Sequence, residues 1–204
     1  YCYSLEQLKS NYKKFRETFE KVDPLICFSV KSNSNLTLLK ELKKMGSGAD
    51  VVSIGELLKA INVGISNKRI VFSGVGKTEE EIVMAIRKKV LLINVESESE
   101  VNLINKIARK TSRKISIGIR LNPNVTGKTH KKISTGGKDE KFGLVYNDFI
   151  NLIFVFIIGT FCSVGFKSIG ICSTIMRNGI SAFTTFSPIH CILTACSLLG
   201  GNNT

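Results

Sequence analysis

The chain has 204 residues, which suits one domain of ordinary size or an incomplete piece of a larger one. Its 29 basic and 16 acidic residues give a net charge of +13, a surplus that raises nucleic acid or a membrane surface as partners. The placing of the charges argues against nucleic acid: lysines stand beside glutamates on helix-like segments such as Leu39-Lys-Glu-Leu-Lys-Lys44, and aromatic residues are not interleaved with them as base stacking requires.

In chain order, charged and polar helix-like sequence comes first and does not read as a signal peptide, so the folded part is expected to be cytoplasmic. The apolar run Leu25-Ile-Cys-Phe-Ser-Val30 then reads as a strand that ends in Lys31 and turns into a helix start at Asn35. A lysine at the end of a buried strand gives up part of its hydration, which favours the neutral amine and its attack on a carbonyl. Further strand-like runs are predicted at about 49–53, 69–73, 90–95 and 115–121, with helices at about 35–45, 55–63, 78–88 and 97–110 between them. Thr78 and Glu81 form a capping box, and Ser97 occupies a similar N-cap position. Strands alternating with helices at this interval imply βα units and a parallel sheet, either open and doubly wound or part of a (β/α)8 barrel.

Two nucleotide motifs are excluded. No Gly-x-Gly-x-x-Gly follows the first strand, and Gly74-Val-Gly-Lys-Thr78 has Val71 where a phosphate-cradling loop needs glycine. The six cysteines match no zinc-ligand spacing, so no metal is expected, and Cys27 within an apolar strand reads as a small buried hydrophobe. Asn35-Leu-Thr37 and Asn124-Val-Thr126 fit the glycosylation triplet, which matters only for a secreted chain.

Composition changes at residue 149. Every acidic residue lies at or before Asp148, and beyond it the only formal charges are Lys167 and Arg177. Residues 149–166 form an uncharged stretch of 18 residues, the shortest length for a membrane-spanning candidate. Residues 1–148 therefore read as the folded domain, and 149–204 as a hydrophobic tail of different character.

The motifs of the first 148 residues resemble those of diaminopimelate decarboxylase. The resemblance rests on Cys27-Phe-Ser-Val-Lys-Ser-Asn-Ser-Asn35, Gly46-Ser-Gly-Ala-Asp-Val-Val-Ser-Ile-Gly-Glu-Leu57 and Ile70-Val-Phe-Ser-Gly-Val-Gly-Lys-Thr78. It continues through Asn94-Val-Glu-Ser97, Arg120-Leu-Asn-Pro123, Lys128-Thr-His-Lys-Lys-Ile-Ser-Thr-Gly136 and Lys141-Phe-Gly143 in the family's order. It implies an α/β fold, a partial TIM-type barrel of the alanine-racemase kind with about five βα units, and pyridoxal 5'-phosphate as cofactor. The implied reaction is decarboxylation of meso-2,6-diaminopimelate, an amino-acid substrate, to L-lysine and carbon dioxide. By the same resemblance Lys31 is the Schiff-base lysine, Asp50 orients it, and Ser73 and Arg120 line the cofactor pocket, while His130 lies in a loop near the substrate.

The resemblance stops after Gly143. The histidine motif that stacks on the cofactor, the glycine-rich phosphate loop and the C-terminal β-domain of the family have no counterpart in residues 144–204. Five parallel strands would leave an open edge. The tail is read as a frameshift product or a membrane segment joined to a decarboxylase fragment that lacks much of the family's site and of its homodimer. A non-catalytic cofactor-binding protein and a membrane-associated pseudoenzyme are the alternatives.

Overall fold

The computed structural model of the chain describes residues 2–113, 115–122, 143–151, 166–177, 180–186 and 191–195. Helix α1 (Leu5–Thr18) leads the chain, capped by the Ser4 hydroxyl, which accepts from the Gln7 amide. Four strand–helix pairs follow: β1 (Leu25–Ser29) and α2 (Leu36–Lys44), β2 (Gly48–Val51) and α3 (Ile54–Asn62), β3 (Ile70–Phe72) and α4 (Glu79–Lys88), β4 (Leu92–Val95) and α5 (Glu98–Thr111). Strand β5 (Ile115–Arg120) follows and pairs parallel to β4. Strands and helices of this part fall within a residue or two of the predicted positions.

The helix ends explain this accuracy. Asn35, Ser53, Thr78 and Ser97 each cap the following helix through their side chains, and the Thr78–Glu81 box is reciprocal. Asn35, the first residue of a glycosylation triplet, has its carboxamide occupied by the amides of Thr37 and Leu38 at 2.9 and 3.3 Å. Helices α2 to α5 all stop in one motif: a residue in left-handed conformation is followed by a backbone bond five residues back, as from Ser47 to Leu42 and from Val90 to Ala85. Glycine fills that position at Gly46 and Gly64, whereas Lys89 and Ser112 adopt it with side chains at φ 56° and 50°.

Beyond β5 a helical segment at residues 146–151 comes before one more parallel strand, and the βα rhythm ends there. Strand β6 (Phe166–Arg177) pairs parallel to β5, β7 (Ile180–Phe186) runs antiparallel to β6, and β8 (Cys191–Ala195) runs antiparallel to β7 and parallel to β1. The ring of eight strands is thereby closed, so the open edge expected of five strands is covered by β6, β7 and β8. Long apolar and β-branched runs suit strands, and hairpin pairing needs no crossover helix. Phe149, which opens the uncharged stretch, is buried in the barrel's main core. No helix of the described residues is long and apolar enough to cross a membrane. Residues 152–165 of that stretch lie outside the described residues.

Alternation along the strands sorts the core into two layers. Ile26, Phe28, Val30, Ala49, Val51, Ile70, Phe72, Ile93, Val95, Ile117 and Ile119 pack outward with helix residues such as Leu39, Leu57, Ile82 and Ile104. Leu25, Cys27, Val71 and Leu92, of the opposite parity, form a small separate cluster in the barrel interior. Cys27 is fully buried there, as expected, and burial pushes its thiol well above the ordinary range. Gly48 sits beside it for a steric reason: a Cβ there would stand 2.3 Å from the Arg69 carbonyl oxygen and 2.8 Å from the Cys27 Sγ.

Candidate active site

The same inward parity, carried one step further along each strand, turns from apolar to polar. Ser29 ends β1, Asp50 lies near the end of β2, Ser73 follows β3, Asn94 lies in β4 and Arg120 ends β5. Register puts Ser29 beside Asp50, Asp50 beside Val71 and Asn94 beside Gly118, so the polar side chains ring the C-terminal end of the barrel above the Leu25–Cys27–Val71–Leu92 layer. In a parallel barrel that end is where loops converge and chemistry is placed.

Three of these residues form a directed chain. The Asn94 amide donates from Nδ2 to the Ser73 hydroxyl at 2.9 Å, and the Ser73 hydroxyl donates to Asp50 Oδ1 in a short hydrogen bond. Because Ser73 accepts from an amide that can only donate at Nδ2, its own proton is directed at the carboxylate. Asp50 is only 3% exposed. Burial pushes its carboxyl up to about 6, against the Ser73 hydrogen bond and the positive charge of Lys31, which both favour the carboxylate. Val52 donates its backbone amide to Glu56 Oε2 at 2.9 Å, which places a second carboxylate near Asp50 and raises its pKa further.

Lys31 lies in the short 3₁₀ turn Val30–Ser32 just past β1, and its side chain is exposed. The loss of hydration expected of a lysine at a buried strand end is therefore not a property of this position, because the turn carries the residue out of the strand before its side chain begins. What the position does supply is an electrostatic link to Asp50 on the adjacent strand. Arg120 is nearly buried, and its Nη1 donates to both oxygens of Glu96 at 3.0 and 3.3 Å. The backbone at Arg120 is pinned as well: its carbonyl accepts from the Leu144 amide at 2.8 Å. Gly143, at φ +79°, allows that approach, since a Cβ there would meet the Arg120 carbonyl oxygen at 2.9 Å. His130 lies outside the described residues.

Thus Asp50, Ser73 and Arg120 stand on one end of the barrel with Lys31 at its rim. Sequence reasoning attached no role to Asn94, Glu96, Glu100 or Lys77. Asn94 and Glu96 belong to the Asn94-Val-Glu-Ser97 motif, and their i, i+2 spacing at the end of β4 is the available sign that both face inward. Lys77 was set aside with the failed phosphate loop. No group of three or more His, Cys, Asp or Glu side chains suited to a metal occurs among the described residues.

The site permits a test of fit for an aldehyde-bearing, anionic cofactor. Asn94 Oδ1 is buried with no hydrogen-bond partner, an acceptor at the barrel end that an N–H or O–H donor would satisfy. A primary amine at the rim, a carboxylate facing it and a guanidinium across the ring match the chemistry of such a group.

A sequence profile of the pyridoxal-dependent decarboxylases, describing their pyridoxal binding domain, matches residues 5–156. The diaminopimelate decarboxylase of Helicobacter pylori strain J99 is 46% identical over 144 residues, which cover 71% of this chain and 36% of that protein. The Vibrio cholerae enzyme of the same name is 44% identical over 147 residues, covering 72% of this chain and 35% of its own length. The crystal structure of the H. pylori diaminopimelate decarboxylase complexed with L-lysine aligns with a TM-score of 0.75 at 42% identity, over 78% of this chain and 40% of that one. The chain spans about a third of the length of the curated relatives it matches. On the match to residues 5–156 and the shared barrel, the chain belongs to the pyridoxal-dependent decarboxylases, by way of their pyridoxal-binding domain.

Proposed function

We propose that this chain is the cofactor-holding barrel of a diaminopimelate decarboxylase, with Lys31 as the residue that joins pyridoxal phosphate covalently and meso-diaminopimelate as the substrate that yields L-lysine and carbon dioxide. The observation that carries the proposal is the convergence of Asp50, Ser73, Asn94 and Arg120 on one barrel end with Lys31 beside Asp50. When bound, pyridoxal phosphate supplies an electron sink for the pair left behind as carbon dioxide departs.

The chain's own residues then have separable tasks. Lys31, exposed in the turn after β1, would hold the cofactor at the rim of the barrel through its amine. Asp50, with a carboxyl near 6, accepts a proton or a hydrogen bond from the Lys31 nitrogen and can return it near neutral pH. Ser73, held by Asn94, keeps Asp50 from turning away. Arg120 keeps a permanent positive charge at the opposite side of the ring, where Glu96 orients it toward an anionic oxygen of cofactor or substrate. The apolar layer beneath excludes water from the floor of the site.

The test is a titration of the chain with pyridoxal phosphate, followed by incubation with meso-diaminopimelate and assay for carbon dioxide and L-lysine. Saturable binding that is lost in Lys31→Met, together with lysine formation, supports the proposal. Binding without turnover supports the cofactor-binding reading alone, and absence of binding refutes both.

A further inference from the structure

Behind the ring runs a second set of charges that the reading above leaves without a task. Lys77 ends Gly74-Val-Gly-Lys, and its side chain is 2% exposed beside that of Glu100 at 7%. Its ammonium has three N–H donors and meets three acceptors: the Gly74 carbonyl at 2.6 Å, the Asn94 carbonyl at 2.6 Å and Glu100 Oε1 at 2.9 Å. The other Glu100 oxygen accepts from the Glu96 backbone amide at 2.8 Å. Glu96 in turn receives Arg120 Nη1 on both of its oxygens. The line Lys77–Glu100–Glu96–Arg120 thus ties the ends of β3, β4 and β5 and the first turn of α5 together.

Stability is a weak reason to bury such a pair, because apolar side chains of similar volume serve as well or better. Direction is a stronger one. Two of the Lys77 acceptors belong to residue 74, which follows Ser73, and to Asn94 itself, so the ammonium sets the spacing of the strands that carry the Asn94–Ser73–Asp50 chain. The carboxylate of Glu100 fixes the backbone from which Glu96 reaches Arg120.

We propose that Lys77 and Glu100 are positioning residues of the cofactor site: through Glu96 they hold the Arg120 guanidinium in place to receive an anionic oxygen of pyridoxal phosphate. The inference rests on the cofactor reading given above. It also gives the lysine of the failed phosphate loop a different task, that of a buried strut which touches no ligand.

The test is a cycle of cofactor affinities, measured by titrating pyridoxal phosphate into the full chain and counting borohydride-trapped cofactor at Lys31 by mass. The variants are Lys77→Met with Glu100→Met, Arg120→Ala, and all three together, each checked for cooperative unfolding by circular dichroism. The paired methionine variant is expected to weaken binding about 10-fold, the worth of a hydrogen-bonded charge. The triple variant should bind no more weakly than Arg120→Ala alone, because the strut acts through that residue. Losses that multiply in the triple variant, or a paired variant within about two-fold of the wild type, would overturn the proposal. Should the paired variant fail to fold, Glu96→Gln takes its place in the same cycle with the same two outcomes. A wild-type chain that is not labelled at Lys31 defeats the cofactor reading and this one with it, whereas labelling at Lys31 that ignores the strut variants defeats this one alone.

Discussion

Replacing Asp50 by asparagine should make the folded chain more stable at neutral pH and flatten its pH dependence. The carboxyl is 3% exposed and titrates at about 6 in the folded state, against 3.8 for the free side chain. The folded state therefore holds this proton more tightly than the unfolded one. The stabilising contribution of the protonated form is complete below 3.8 and is lost as pH rises through 6. A shift of about two units is worth about 3 kcal/mol, by which the native state is penalised above pH 6 for keeping a buried carboxylate. Asparagine does not titrate and still offers an oxygen to the Ser73 hydroxyl. The assay is urea unfolding by far-ultraviolet circular dichroism at several pH values between 4 and 7, wild type against Asp50→Asn, so that contributions of the other carboxylates cancel. The difference should be small near pH 4 and should grow toward pH 7 in favour of the variant. Parallel stability curves across that window, or a variant less stable at pH 7 than at pH 4 relative to wild type, would refute the reasoning. In the proposed site this penalty leaves a carboxylate able to exchange a proton with Lys31.

The other predictions concern the frame that carries the site. Gly48→Ala should cost about 2 to 3 kcal/mol, because its Cβ would press on the Arg69 carbonyl oxygen and the Cys27 Sγ; urea midpoints measure this, and an unchanged midpoint would show that β1 and β3 can spread. Lys89→Gly should raise stability by about 1 kcal/mol by relieving the left-handed backbone at φ 56°, read from the same unfolding curves. Gly143→Ala should displace the strand end that carries Arg120 and weaken pyridoxal phosphate binding while leaving the helical content unchanged, since its Cβ would meet the Arg120 carbonyl oxygen at 2.9 Å.

The regular part of the fold was legible because each helix carries its own start signal. Asn35, Ser53, Thr78 and Ser97 bind the first free amides directly, so local sequence decides those boundaries without help from the rest of the chain. The stop signals were weaker where Lys89 and Ser112 stand in place of glycine. Closure of the barrel was not legible. Residues 166–195 have apolar strand-like runs but no alternating pattern tied to a helix, and only the meeting of β8 with β1 shows what they cover.

Within the site, Asp50, Ser73 and Arg120 were implied by the family resemblance, and the structure places all three at one end of the barrel, with Asp50 and Arg120 buried. The electrostatics did not follow. The burial that raises Asp50, and the Ser73, Lys31 and Glu56 side chains that modulate it, come from elements distant in sequence. The partnership of Lys77 with Glu100 joins residues 23 positions apart. Lys31 shows the opposite failing: its place at a strand end suggested burial, and a single 3₁₀ turn lifts it out.

The central claim is that Lys31 alone among the many lysines of this basic chain holds pyridoxal phosphate. Borohydride reduction of the chain with a small excess of cofactor, followed by proteolysis and mass spectrometry, tests it directly. The account predicts one dominant phosphopyridoxyl label, on Lys31, that disappears from the digest of Lys31→Met without reappearing elsewhere. Comparable labelling of surface lysines such as Lys13, Lys40 and Lys68, with Lys31 no more reactive than they are, would contradict it.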